Sequence, residues 1–165
     1  SNCEIEEINQ IPKNWDTFWE KARQQYDFII SRDFKSLEWR FINHPNKYRF
    51  YIIKQQKELV GYLTYRILYD KGIANLVIAD FLTLRGEELN LNNLLLRVLK
   101  DSFDEKVSTI SVWCSNDSPY FKIFKKFGFI KKNNIPVICY QNNFSKKILD
   151  SCKKWYFTIS DSDNI

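Results

Sequence analysis

Between Tyr48 and Leu84 the apolar residues recur with a period of two, in three stretches split by two short polar turns. Tyr48 to Lys54, Glu58 to Leu68 and Ile73 to Leu84 each read as a strand. Gln55-Gln56-Lys57 and Asp70-Lys71-Gly72 leave room for tight turns only, so the three strands form an antiparallel meander. The period then changes. Arg85-Gly86 breaks the third strand, and Leu91, Leu94, Leu95, Val98 and Leu99 follow at i, i+3, i+4, i+7 and i+8. That stripe predicts a helix from Asn90 to about Phe103 with one core-facing side.

The flanks fit around this unit. Upstream, Asn14 is a good N-cap, and Trp15, Phe18, Trp19, Ala22 and Tyr26 make one helical face. A second helix is expected from about Ser36 to Asn43, ended by Pro45. Downstream, Val107 to Cys114 reads as a strand. Ser118 caps the next helix, with Pro119 in its first turn and Gly128 at its close. Pro136 to Gln141 reads as a strand, Lys146 to Lys154 as a short helix and Trp155 to Ile159 as a last strand. The order predicts an α/β domain with a mostly antiparallel mixed sheet and helices on both faces. Strand 73–84 should run parallel to strand 107–114, because a helix joins them.

Composition narrows the function classes. The 165 residues suit one domain, taken as 3–165. Ser1-Asn2 has the form of a scar left by tag removal, and the native chain is expected to extend upstream. An apolar fraction of 44% argues for a packed core over disorder. The apolar runs, such as Leu94 to Leu96, are far below a membrane span. Glu4, Glu6 and Glu7 are unlike a secretory start. The net charge of +5 suits an anionic ligand or an ordinary basic surface equally. Cys3, Cys114, Cys139 and Cys152 form no CxxC pair, so no metal site is expected. Cys114 and Cys139 read as small buried hydrophobes of a reducing cytoplasm.

Three stretches carry a family resemblance. Phe121-Lys-Ile-Phe-Lys-Lys-Phe-Gly128-Phe129 resembles the helix-to-Gly-Phe corner of the GNAT acyl-CoA N-acyltransferases. The unit from Leu76 through Leu99 occupies the place of their acyl-CoA-binding strand, loop and helix. The segments Leu37–Pro45, Val77–Leu82 and Trp155–Asp163 are similar to the C-terminal domains of tandem, Fem-like bacterial members. The resemblance implies acetyl-CoA as co-substrate, an amine acceptor, a cytoplasmic protein and an upstream domain as partner.

Acyl transfer sets the demands on the site. Pyrophosphate needs backbone N–H donors at a helix start, the thioester carbonyl needs a donor, and the amine needs a base. By position in the resemblance, Phe81, Leu82, Thr83, Arg85, Gly86, Asn90 and Asn116 are the candidate cofactor contacts. The loop departs from the family pattern, since only Arg85 and Gly86 echo it, and Glu87 and Glu88 put carboxylates where pyrophosphate would sit. The family's tyrosine position is held by Phe124, so Tyr120, one turn earlier, is the candidate acid. Its plainer reading is a half-buried aromatic packing the helix start. Asp80, inside the apolar run Val77 to Leu82, is the candidate base, because burial disfavours a carboxylate's charged form. Strand alternation leaves a solvated face open to it as well. Asn116 reads equally as a turn residue, and His44 as a helix-end residue.

The leading expectation is therefore an N-acyltransferase acting by direct attack of an amine on an acyl-CoA. The alternative is a non-catalytic GNAT-like module supporting an upstream catalytic domain. Nucleic acid is not expected, although Lys122, Lys125, Lys126, Lys131 and Lys132 make a basic surface. The aromatics between them fall on a core-facing stripe.

Overall fold

The computed structural model describes residues 3–134 and 154–162. The meander is present as β3 (Arg49–Gln55), β4 (Glu58–Asp70) and β5 (Ile73–Thr83). Their antiparallel registers include Tyr51 opposite Leu63 and Leu63 opposite Phe81. Each turn uses left-handed backbone, at Gln56 and Lys57 in one and at Lys71 and Gly72 in the other. Helix α3 (Asn90–Asp104) then returns the chain to β6 (Thr109–Val112), which pairs parallel with β5.

One edge strand is absent from the sequence reading. Cys3–Ile8 forms β1, antiparallel to β3, so the sheet order is β1-β3-β4-β5-β6. Its glutamates conceal it, since Glu4, Glu6 and Glu7 are exposed while Ile5 and Ile8 are partly buried. Charge on an edge strand discourages further pairing and weakens the strand signal together.

Helices cover both faces, as expected. Phe50 and Tyr51 are neighbours in β3 and point to opposite sides. On one side the Trp15 ring of α1 (Trp15–Arg23) lies 5.8 Å from Phe50 and 5.2 Å from Tyr62. On the other, the Asp101 carboxylate of α3 accepts from Tyr51 and Tyr65, each at 2.8 Å. Leu91, Leu94, Leu95 and Val98 are buried along α3. Each side chain so placed contributes about 1.5–3 kcal/mol.

Several boundaries differ. The second helix starts two residues early, as α2 (Phe34–Leu37), and continues as a π-helical turn over Glu38–Ile42. Asp33 is its cap, accepting from the Ser36 N–H at 2.8 Å. Helix α4 (Pro119–Lys126) has the expected Ser118 cap, and Gly128 beyond it has φ +86°. The last strand is shorter than expected and lies outside the main sheet. Trp155–Tyr156, β7, pairs parallel with β2 (Phe28–Ile29), and Ile159–Asp161 is a 3₁₀ turn. The strand expected over 136–141, nearly all of the helix over 146–154, Cys139 and Cys152 lie outside the described residues. No helix among the described residues is long and apolar enough to cross a membrane.

Candidate active site

The parallel pair β5–β6 holds register only from Asn75–Thr109 to Ile78–Val112. Beyond that, β5 runs on to Thr83 paired with β4 on one side and, among the described residues, with no strand on the other. The two chains part into a wedge, with α4 and the segment from Trp155 onward packed at its mouth. A cavity of about 30 Å³ lies there, lined by Tyr26, Phe81, Cys114, Ser118, Trp155 and Tyr156 among others. That is room for about one water molecule.

The wedge walls are aromatic. The Phe81 ring centroid is 5.2 Å from Tyr120, 5.1 Å from Phe124 and 6.0 Å from Tyr156. At the end of β5, the Thr83 N–H donates to the Tyr120 hydroxyl at 3.0 Å, and the two hydroxyls share a 3.0 Å bond. The Thr83 carbonyl accepts from the Gln25 amide at 3.0 Å. Burial pushes the Tyr120 phenol up, with bonds from Thr83 and Tyr26 acting against it. Burial pushes the Cys114 thiol up to about 11, so it stays protonated at neutral pH.

Asp80 faces away from this cavity, into a buried ion cluster. Both Asp80 and Arg32 are fully buried. Arg32 Nε lies 3.0 and 3.3 Å from the two Asp80 oxygens, and Nη2 lies 3.3 Å from Oδ1. Tyr62 donates to Oδ2 at 2.7 Å and Thr158 to Oδ1 at 2.8 Å. Arg32 Nη2 also donates to Asp161 Oδ2 at 2.6 Å, and Nη1 to the Ile30 carbonyl at 2.6 Å. Burial opposes the Arg32 charge, but Asp80, Tyr62 and Asp161 hold it in place. Each Asp80 oxygen accepts from Arg32 and from one hydroxyl, so an incoming amine finds no open lone pair. The geometry gives Asp80 the work of fastening the Thr158–Asp161 segment to β5 in place of the base role anticipated for it.

The loop after β5 closes on itself. Gly86, at φ +85°, donates its N–H to the Glu88 carboxylate at 3.1 Å. Asn90 Nδ2 donates to Glu87 at 2.7 Å and to Gln55 at 3.3 Å. The two carboxylates thus occupy donors that an anion would use. Of the anticipated cofactor contacts, Phe81, Leu82 and Thr83 are buried on β5, and Asn90 is buried at the α3 start. Arg85 and Gly86 are exposed on the loop, and Asn116 is exposed in the turn between β6 and α4. The fold brings Thr83 and Tyr120 into contact. Asp80 stands apart from both.

Arg32, Tyr26, Gln25 and Thr158 were not singled out as site residues from the sequence. An arginine between Ser31 and Asp33 looks like surface. Nothing local signals that it is wholly buried. No group of three His, Cys, Asp or Glu placed to share a metal ion occurs among the described residues.

Solved structures share this fold. An aminoglycoside acetyltransferase from an uncultured soil metagenomic sample, in complex with trehalose, superposes with a TM-score of 0.60. It is 17% identical, over 85% of this chain and 95% of that one. AAC(6′)-Iy in complex with the bisubstrate analogue CoA-S-monomethyl-acetylneamine gives 0.59 at 14% identity, over 87% and 100%. The fold is the GNAT acyltransferase fold. A Trypanosoma brucei acetyltransferase also matches it, at a TM-score of 0.59 and 14% identity over 84% and 100%. The sequence matches no family model and no curated protein.

Proposed function

We propose that this GNAT-fold chain is an N-acyltransferase that uses an acyl-CoA, acetyl-CoA above all, and that the β5–β6 wedge receives the thioester. The observation that carries the reading is the wedge itself. A parallel pair comes apart after Ile78 and Val112, and on that side β5 is left without a strand neighbour among the described residues. The Thr83 N–H and the Tyr120 hydroxyl stand 3.0 Å apart at its end. The Tyr120 hydroxyl accepts from the Thr83 N–H and can point its own proton at a thioester oxygen as negative charge gathers there. The acceptor amine attacks the carbonyl carbon, the C–S bond breaks, and the thiolate takes a proton as the amide forms. A neighbour of the same fold is complexed with a bisubstrate analogue that joins CoA to an amine acceptor. Tyr120 is the residue assigned to the leaving thiolate, and Arg85, Gly86 and Asn116 to the rest of the acyl-CoA. A cytoplasmic setting and an upstream domain belong to this reading as well.

A second reading rests on one observation. Glu88 already accepts from the Gly86 N–H, in the place of a pyrophosphate oxygen. In that reading the chain is a non-catalytic module supporting a catalytic domain upstream.

Calorimetric titration with acetyl-CoA separates the two. Saturable binding supports the enzyme, and no heat at millimolar ligand supports the module. Tyr120→Phe should lower turnover by about tenfold, at the modest end of proton-transfer catalysis. Unchanged turnover in that variant would remove Tyr120 from the reaction.

A further inference from the structure

The β4–β5 hairpin reaches well beyond its neighbour on one side. Pairing between β3 and β4 stops at Arg49–Tyr65, while pairing between β4 and β5 continues to Asp70–Ile73. Arg66 to Asp70 therefore form a strand edge of five residues. Among the described residues, no backbone hydrogen bond reaches the side facing away from β5. Such edges are commonly blunted by charge, as β1 is by its glutamates. This one is not. Leu68 and Tyr69 are exposed on it, and Ile73 is exposed across the hairpin.

Two charges flank the apolar centre, and neither is neutralised. Arg66 Nε is buried and has no hydrogen-bond partner among the described residues. Its guanidinium lies over the Tyr48 ring at 5.6 Å, which fixes it near the edge. Asp70 is exposed at the other end and belongs to no ion pair among the described residues.

The kind of strand that fits follows from symmetry. A second copy that continues the sheet about a two-fold axis keeps its faces, so opposed residues must share parity. Few registers meet that rule on so short an edge. In the one centred on Leu68, Arg66 lies opposite Asp70 of the other copy, twice per interface. Ile67 lies opposite Tyr69, a favourable β-branched–aromatic pair. Centring on Ile67 sets Arg66 against Leu68 and Asp70 against Thr64, which already pairs with Phe50, and centring on Tyr69 sets Asp70 against Leu68 and Arg66 against the turn.

We propose that the Arg66–Asp70 edge is a self-association surface, where two copies of this chain join antiparallel about Leu68 into one continuous sheet. The surface is independent of the acyltransfer reading, because it lies on the hairpin and away from the wedge. A five-residue edge buries less than a standard interface, so the dimer is a weak one.

Sedimentation equilibrium tests this on the unmodified chain from about 1 µM to about 1 mM, the range of weak interfaces. The expected result is a reversible shift toward twice the 19.9 kDa chain mass. Asp70→Arg places like charges opposite each other at two positions and should weaken association by about tenfold or more. The exchange Arg66→Asp with Asp70→Arg should restore it. Asp70 is exposed, so its substitution leaves the fold intact, and an unchanged circular dichroism melt verifies that. If the exchanged form does not fold, Leu68→Lys, facing its own copy on the axis, must abolish the dimer. A monomer at every concentration overturns the proposal. So does a dimer indifferent to Asp70→Arg, which would point to another surface.

Discussion

Asp80→Asn tests how the buried cluster is held together. The change keeps the shape but leaves Arg32 in the core with its main counter-charge gone. Breaking one side of a buried pair costs roughly 3–5 kcal/mol, and urea unfolding should show a loss in that range. A loss below about 1 kcal/mol would mean that Asp161, 2.6 Å from Arg32, balances the charge by itself. The sequence marked Asp80 as unusual, because a carboxylate stood inside an apolar strand. It could not supply the partner, since Arg32 lies 48 positions away and Asp161 lies 81 positions away. The same residue type in the same strand serves as a base when open and as an anchor when enclosed. Only the surroundings distinguish them.

At the scale of elements, the loop before α3 invites a direct experiment. Glu87→Gln with Glu88→Gln weakens the hold on the Gly86 N–H by making its acceptor neutral and removes two negative charges from a helix start. Each such charge is worth about 0.3–1 kcal/mol there, so acetyl-CoA affinity should rise roughly three- to thirtyfold. Unchanged affinity at low salt would place the pyrophosphate elsewhere. The β3–β4 turn offers a stability test. Gln56 and Lys57 take φ of 51° and 69°, a conformation that L side chains enter at a cost. Lys57→Gly should stabilise the chain by about 1 kcal/mol, read as a higher urea midpoint. A lower midpoint would show that the lysine's own contacts outweigh its backbone. This turn was legible as a hairpin from its length alone. Its left-handed pair was not, because neither residue is the glycine that advertises one.

Over the whole molecule, acid should weaken the fold through Glu7 and Asp33. The Arg49 guanidinium holds Glu7 below the usual carboxylate range, against the pull of burial, and the Ser36 N–H does the same for Asp33. Folded pKa values below the unfolded ones mean stability present above about pH 4 and lost as pH falls through the folded values. Asp161 runs the other way, since burial pushes its carboxyl up and acid relieves that cost. Glu7→Gln with Asp33→Asn should therefore lower the melting temperature at about pH 7 and flatten its fall toward about pH 3. Wild-type and variant curves that stay parallel would show that these carboxylates do not set the acid limit.

Local pattern was enough for the meander, the stripe of α3, the Ser118 cap and the parallel return to β6. Each rests on neighbours in sequence: alternation, helical spacing, a capping oxygen, the length of a connection. The edge strand β1 was hidden because its glutamates answer to solvent and obscure the alternation. The pairing of β2 with β7 joins residues more than a hundred positions apart, and two residues carry no period. The wedge follows from where β6 stops short of β5, which no residue announces. The cluster of Arg32, Asp80, Thr158 and Asp161 is likewise a product of the closed chain. Its members are ordinary surface residues by type, and burial alone turned them into the clasp of the core.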